Sequence, residues 1–534
     1  MLARRIRAGD RRSYDVVVLG AGVAGLVTAL DLLDLAPGLS VAIIDKGALG
    51  TSGSTALAQG GLAAAVGPED SPARHTADTL AVGDGLADPR AAAVLAGEAP
   101  ARVQDLIARG AVFDRDGSGA FALAREGGQA VARSVRAADA TGAAIFAALR
   151  DQATGRVERL QGTACALAVG GRPERVHGAW LLVDDREADA SGPAQEAGLV
   201  LVEGRAVVLA TGGCGGLYAA TTNRADATAD GVALAGAAGA ALVDMEFVQF
   251  HPTGLRTEGM RRLLLTEALR GAGAVLVDAH GQRFLPDYHQ DAELAPRHVV
   301  TRAILEQPGG AWLDASHLPP ATLAADFPTV LAGARAHGYD LTTQPVPVEP
   351  CQHYMVGGVA TDLWARTSLP GLWAAGEVAS TGVHGANRMA GNSLAQSCVF
   401  GHRAARSVVR DLDAALPRAP DPHPPAPGDA PAGDVVSALR LEVRQAMTAG
   451  AGPLRTAGSL DVAAKALGDA AAAAGPATPA LRRDTVELAH VLAVSRLIVR
   501  SARLRTESRG VHWREDAPGH GRGWDGVRLQ VRLI

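Results

Sequence analysis

Apolar positions along this chain fall into two recurring arrangements, a short branched run that ends in glycine and a longer stretch with apolar residues on a helical period. The two meet between Tyr14 and Lys46. Tyr14-Asp15-Val16-Val17-Val18-Leu19 leads into Gly20-Ala21-Gly22-Val23-Ala24-Gly25, then an apolar stretch to Leu35, then Val41-Ala42-Ile43-Ile44 before Asp45 and Lys46. A bounded branched run predicts a buried parallel strand and the 3.6-residue period predicts a helix, so this segment predicts a βαβ unit.

The same reading carries along the chain. Residues 88–110 and 141–152 have helical spacing, and 158–209 alternate in the manner of antiparallel strands before ending in Ala206-Val207-Val208-Leu209-Ala210-Thr211-Gly212-Gly213. A buried strand running into glycines so late implies a discontinuous domain. Between about 240 and 347 the pattern changes to mixed α/β, after which Leu372-Trp373-Ala374-Ala375-Gly376-Glu377 repeats the strand-to-glycine signature and 391–409 reads as a helix. Residues 413–433 are Pro- and Ala-rich without period, hence a linker, and 435–447 and 478–508 are again helical. The expected plan is an α/β, Rossmann-like dinucleotide-binding domain in two parts, 14–239 and 348–412. An α+β capping domain, 240–347, is inserted between them, and a C-terminal helical domain, 434–534, follows the linker.

The glycines of the opening unit give it chemistry. Gly20 permits the tight turn out of the strand, Gly22 lets a pyrophosphate approach the backbone, and Gly25 lets the helix lie close to the sheet. The phosphates would sit on unpaired N–H groups at the positive end of the helix, along Gly20, Ala21, Gly22, Val23, Ala24 and Gly25. Asp45 lies about 20 residues beyond the last glycine, where an acidic side chain binds ribose hydroxyls. These residues are equally compatible with NAD and FAD.

Composition narrows the classes. The net charge is −5, with no basic excess to attract nucleic acid. Four cysteines, Cys165, Cys214, Cys351 and Cys398, are widely spaced with no C-x-x-C pair, which argues against zinc, an iron–sulfur cluster or a disulfide framework and fits a reducing cytoplasm. The paired arginines before Val16 resemble a secretion leader, but three glycines at nucleotide-binding spacing, with Asp31 and Asp34, break the apolar stretch. No membrane span is expected.

The remaining conspicuous residues sit in short runs dense with Gly, Pro and Asn. They are a small-residue loop from Gly50 through Ser54, Thr55, Gln59, Gly60 and Gly61, and the polar residues His251, Thr266, Glu267, Arg297, His353, His384 and Arg388. Loops on a rigid scaffold concentrate function. Histidines, arginines and hydroxyls together would suit a small dianion, because guanidinium groups bind carboxylates in a bidentate manner.

These segments carry a family resemblance. Gly53-Ser54-Thr55 with Ala58-Gln59-Gly60-Gly61, Phe250-His251-Pro252-Thr253, Leu265-Thr266-Glu267-Ala268-Leu269-Arg270-Gly271, Glu293-Leu294-Ala295-Pro296-Arg297, His353-Tyr354 with Gly357-Gly358, Gly376-Glu377-Val378, and His384-Gly385-Ala386-Asn387-Arg388-Met389-Ala390 with Asn392-Ser393-Leu394 occur in one order. In this the chain resembles the flavoprotein family of succinate dehydrogenase, fumarate reductase and L-aspartate oxidase, most closely the last, from Tyr14 to about Pro518. The resemblance implies FAD. Ser54 stands where the dicarboxylate enzymes usually carry a flavin-linking histidine, so the FAD is expected to be noncovalent. Glu126, in Arg125-Glu126-Gly127-Gly128, stands where those enzymes tend to have Phe, and a carboxylate there suits the α-ammonium of aspartate. One stretch departs from the family: Gln129-Ala130-Val131-Ala132 stands where it often has histidines and arginines, one basic residue is kept at Arg133, and Arg136 stands where a histidine is usual before Ala137-Ala138-Asp139-Ala140-Thr141-Gly142.

The resemblance implies oxidation of L-aspartate to iminoaspartate with O2 or fumarate as acceptor, the opening step of NAD biosynthesis through quinolinate, functionally coupled to quinolinate synthase. It places Asp45, Lys46, Ser54, Thr55, Gln59, Gly60, Gly61, Asp230, Glu377, Asn392, Ser393 and Leu394 at the cofactor. His251, Thr266, His353 and Arg388 fall on the substrate carboxylates and Glu126 on the ammonium. Arg297 looks like the proton-transfer residue, with Glu267 as its relay, since a guanidinium is a poor acid outside a closed, dry site. The competing readings are a succinate dehydrogenase or fumarate reductase flavoprotein subunit, disfavoured by Ser54 and Glu126, a silent FAD-binding protein, and an NAD-dependent dehydrogenase.

Overall fold

The structure, a computed structural model, describes residues 10–47, 53–171, 174–183, 198–412, 424, 431–475 and 482–533. Most of the expected linker, residues 50–52 of the small-residue loop and the start of the leader lie outside the described residues.

Strand Arg11–Leu19 is followed by helix Val23–Leu35 and strand Val41–Asp45, and the two strands pair in parallel, Val16 to Val41 through Leu19 to Ile44. Among the described residues the main sheet has seven strands. From one edge run Glu158–Gln161, Val41–Asp45, Arg11–Leu19, Gly198–Leu209, Arg175–Val183 and Thr163–Gly170, and the short strand Leu372–Ala374 joins the end of Gly198–Leu209. The expectation of antiparallel strands over 158–209 holds only for its middle. Glu158–Gln161 and Gly198–Leu209 run parallel to their neighbours, and only the pairs made by Arg175–Val183 are antiparallel. Local alternation reports which faces are covered, not strand direction.

Both faces of the central strand are covered, which explains its unbroken apolar run. Val16 and Val18 pack with the opening helix and with helix Asn392–Leu412, whereas Val17 and Leu19 face a core shared with Val232, Leu234 and, from the C-terminal helices, Leu488 and Val491. Each such side chain removed from water stabilises the fold by about 1.5–3 kcal/mol.

The inserted region forms an antiparallel sheet in the order Val248–Leu255, Val346–Met355, Ala311–Asp314 and Val275–Val277, over a separate core that includes Phe327 and Val346. Strand Val346–Met355 runs across the expected boundary at 347 and carries His353. A third sheet orders Ala379–Ser380, Gly358–Ala360, Leu242–Val243 and Gln530–Val531.

The C-terminal region holds helices Gly433–Gly450, Ala457–Ala474 and Arg483–Leu504. The sequence expectation omits the middle one, although Leu460, Ala463, Leu467 and Ala470 recur on a helical period and are buried. It also missed the return of the tail, where Gln530–Val531 pairs with Leu242–Val243 and Arg505 and Glu507 are buried against Glu246 and Arg509. Among the described residues no helix is long and apolar enough to cross a membrane.

Candidate active site

A single elongated cavity runs from the opening βαβ unit to the inserted sheet. One end is lined by Gly20–Ala24, Asp45, Lys46 and Asp230, the middle by Ser54, Thr55, Gln59–Gly61, Glu377, Ser393 and Leu394, and the far end by Glu126, His251, Thr266, Glu267, Arg297, His353 and Arg388.

The first end is built from backbone. Gly20 has φ +109, and a Cβ there would fall on the carbonyl oxygen of Ala210. A Cβ on Gly25 would fall on the carbonyl oxygen of Gly20, so the helix can approach the strand only with glycine at both places. Gly22 caps the helix without a side-chain acceptor, which leaves N–H groups of the first turn facing the cavity. Val23 N donates to Thr55 Oγ1 at 3.3 Å, tying the small-residue loop to this turn. Farther along, Gln59 Oε1 is buried without a partner on the cavity wall. A dinucleotide with a pyrophosphate and ring N–H groups meets these features: helix-start donors for the phosphates, an orphan acceptor for a ring donor, and Asp45 at the ribose position.

The far end is built from side chains. Glu267 Oε2 accepts from Arg297 Nε at 2.7 Å, and its Oε1 accepts the N–H of Gly127 at 3.0 Å. Arg270 lies 3.5 Å from Glu267 and donates to the carbonyl of Glu293. Arg297 Nη1 and Arg388 Nη2 both donate to one oxygen, Gln249 Oε1, at 2.9 and 3.1 Å. Gln249 is itself held, because its Nε2 donates to Asn387 Oδ1 and to the carbonyl of Arg388 at 2.8 Å each. One glutamine thus holds two like charges at a fixed spacing. Arg388 also stacks 4.6 Å from the centre of the Tyr354 ring.

His251 and His353, on neighbouring antiparallel strands, have ring centroids 5.1 Å apart. The N–H of Thr253 donates to His251 Nδ1 at 3.2 Å, and a backbone amide can only donate, so the neutral ring carries its proton on Nε2. His353 Nδ1 lies 2.7 Å from Thr222 Oγ1. Burial, reinforced by Arg297 and the other nearby cations, holds both imidazoles well below their ordinary pKa. They are neutral N–H donors at physiological pH.

Glu126 accepts the N–H of Gly61 at 3.1 Å. Burial and then the nearby Glu267 raise its pKa, with Arg297 working the other way. Glu267 is lowered, because Arg297 and Arg270 outweigh the burial that alone would raise it. The far end therefore presents two guanidinium groups, two neutral imidazole donors and two carboxylates, Glu267 paired with Arg297 and Glu126 with its pKa raised by burial. Such a set can bind two carboxylates and one ammonium at once.

Nearly all candidate residues line one cavity, and Gly25, Asn392 and His384 do not. Gly25 serves the close helix–strand contact. Asn392 turns away to His75 Nε2 at 2.8 Å and Thr79 Oγ1 at 3.0 Å. Lys46 does line the wall, but its ammonium is bound to Asp230 and Glu487. Glu377 accepts the N–H of Met355 at 2.8 Å, and burial pushes its pKa up to about 7. His384 lies behind the wall, 3.3 Å from the Tyr354 hydroxyl. In the departing stretch, Gln129 Oε1 accepts the N–H of Glu126 at 3.1 Å, and Arg133 is buried against Asp70 and Asp78. That stretch thus supports Glu126 from behind. Sequence reasoning missed Gln249 and Thr222; a buried glutamine in an apolar strand was the one available signal for the first.

Comparison with known proteins gives the following. The model of the FAD binding domain matches residues 15–394, and that of the fumarate reductase flavoprotein C-terminus matches residues 440–523. The L-aspartate oxidase of Streptomyces coelicolor is 45% identical over 524 residues, covering 94% of this chain and 88% of that protein. The L-aspartate oxidase of Caulobacter vibrioides is 42% identical, covering 94% and 93%. Among solved structures, E. coli quinol fumarate reductase superposes with a TM-score of 0.87 at 29% identity, covering 98% of this chain and 95% of that one.

Proposed function

The chain belongs to the L-aspartate oxidase family, within the flavoproteins that share an FAD-binding domain with fumarate reductase, and we propose on that premise that it oxidises L-aspartate to iminoaspartate. The cofactor is FAD, held without a covalent link. The observation that carries the substrate assignment is a second carboxylate, Glu126, placed beyond the Arg297-paired Glu267 in the same cavity end as Arg388, His251 and His353. A site for succinate or fumarate alone needs no such anion. A substrate with two carboxylates and an ammonium does.

Bound FAD supplies the two-electron acceptor, and the remaining work falls to the side chains. His251 Nε2–H, His353, Thr266 and Arg388 bind the carboxylates. Glu126 takes the ammonium and orients the α-carbon. Arg297 is the group that delivers a proton when fumarate is reduced, and its contact with Glu267, linked in turn to Arg270, supports a relay through these three. Ser54 offers a hydroxyl at the wall, Thr55 fixes the opening turn, and Gly60 and Gly61 bring backbone close to Glu126. We further assign O2 and fumarate as electron acceptors, the cytoplasm as the compartment, and quinolinate synthase as the consumer of the unstable imine in NAD biosynthesis.

The test is anaerobic mixing of purified holoprotein with L-aspartate, followed by O2 or fumarate. The flavin absorbance should bleach on aspartate and recover with either acceptor; an unbleached flavin overturns the assignment. In the same protocol Arg297→Leu should keep its FAD and fail to recover with fumarate, whereas full recovery would remove Arg297 from the proton step.

A further inference from the structure

The cofactor cavity and the C-terminal helical region are coupled through one buried polar cluster. Lys46 and Asp230 line the cavity beside Asp45. Lys46 Nζ bonds Asp230 Oδ2 and Thr228 Oγ1, each at 2.7 Å, and lies 3.1 Å from Glu487 Oε1. Asp230 Oδ1 accepts from Thr228 Oγ1 at 2.8 Å and lies 2.9 Å from His490 Nδ1. Glu487 and His490 sit one turn apart on helix Arg483–Leu504 and do not line the cavity. Glu487 is held by Arg440 and Arg483, each at 3.1 Å, and Arg483 also donates to the carbonyl of Lys46 at 3.0 Å. The side chains of Lys46, Asp230, Glu487 and His490 are between 7% and 15% exposed.

We propose that Glu487 and His490 are positioning residues for FAD: with Lys46 they hold Asp230 in the orientation that keeps acceptor capacity toward the cofactor, so the C-terminal helix sets FAD affinity. An ionised carboxylate has about four acceptor sites. Asp230 uses three of them on Lys46, Thr228 and His490, which fixes its rotamer and leaves acceptor capacity toward the cavity wall. Lys46 is likewise fixed, since three acceptors surround its three protons. Without Glu487 and His490, Lys46 and Asp230 would lose side-chain order that cofactor binding must then restore, and ordering costs free energy. Lys46 and Asp230 stay charged despite their burial. Burial works against the charged forms, yet Lys46 and His490 hold Asp230 well below the usual carboxylate range, and Asp230 and Glu487 keep Lys46 above the usual lysine value.

The inference rests on the FAD assignment, and the experiment separates the two. Apoprotein is titrated with FAD and binding is followed by quenching of flavin fluorescence. Failure of the unaltered protein to bind FAD would strike the assignment itself. If that protein binds, Glu487→Gln and His490→Leu should each raise the FAD dissociation constant about tenfold, the scale of one hydrogen bond to a charged group. His490→Asn, whose amide can still donate to Asp230, should restore affinity to within about threefold. With FAD saturating, KM for L-aspartate should be unchanged in all three, which a general loosening of the fold would not permit. Unchanged FAD affinity in Glu487→Gln and His490→Leu, failed rescue by His490→Asn, or a parallel rise in KM would each overturn the proposal.

Discussion

The two ends of the cavity solve recognition in opposite ways. At the Gly20–Ala24 end the groups on offer are main-chain N–H groups, placed by backbone that at Gly20 and Gly25 approaches backbone too closely for any Cβ. At the Arg297 end the groups come from side chains on six separate segments, around Glu126, His251, Thr266–Glu267, Arg297, His353 and Arg388, spaced by hydrogen bonds such as those on Gln249 Oε1. Backbone recognition tolerates no added atom but is nearly indifferent to charge. Side-chain recognition tolerates small changes of shape but depends on charge and on tautomer. Substitutions at the two ends should therefore fail differently.

The largest effect is expected at the backbone end. In Gly25→Ala the new methyl meets the carbonyl oxygen of Gly20, which cannot move without dragging the strand end with it. Overpacking against rigid backbone costs about 3 kcal/mol or more. The purified protein should contain little or no FAD and should melt well below the parent; full flavin content with an unshifted melt would show that this end is more pliant than the glycine contacts imply.

At the side-chain end, Glu126→Gln keeps the shape and removes the charge. A hydrogen bond to a charged group contributes about 1.5–3 kcal/mol, so KM for L-aspartate should rise about 10- to 100-fold while fumarate reduction changes little. Equal loss with both substrates would remove Glu126 from the ammonium. pH gives a second measure of the same contact. Burial and Glu267 raise the pKa of Glu126, and the ammonium needs its ionised form. The value of kcat/KM for aspartate should thus fall as pH falls through a point above the ordinary glutamate value of about 4.3. That limb should be absent for fumarate and absent in Glu126→Gln.

The same contrast explains what could be read from the sequence. Gly20, Gly22, Gly25 and Asp45 are fixed by local geometry within one βαβ unit, so their spacing alone announces a dinucleotide. Local pattern could not choose between NAD and FAD, because that choice depends on strands more than 150 residues away. Glu126, His251, Arg297 and Arg388 could be named by family resemblance, but their convergence is tertiary. Gln249 and Thr222 carry no motif of their own, since a residue that orients another is visible only once both are in place. Lys46 shows the limit most directly. Its position after Asp45 marks it for the cofactor, while its partners Asp230, Glu487 and Thr228 come from segments that no spacing rule connects to it.

The smallest effect, and the finest test of the contrast, lies in a hydroxyl that touches neither charge. His353 is neutral, so it carries one N–H, and a carboxylate can only accept. For His353 to bind substrate through Nε2, Nδ1 must accept, and the group beside it is Thr222 Oγ1 at 2.7 Å. The other acceptor within reach of that hydroxyl, the carbonyl of Gln352, is farther away at 3.4 Å. Thr222 therefore does for His353 what the N–H of Thr253 does for His251, with the difference that a hydroxyl can reverse and an amide cannot. Thr222→Val fills the same volume without a donor and lets the proton settle on Nδ1. KM should rise about five- to tenfold for L-aspartate and fumarate alike, the scale of a neutral hydrogen bond of about 1 kcal/mol, with FAD affinity unchanged. Thr222→Ser should recover the parent KM. An unchanged KM in Thr222→Val would mean that His353 keeps its tautomer without Thr222, and that the side-chain end is held more rigidly than its hydrogen bonds indicate.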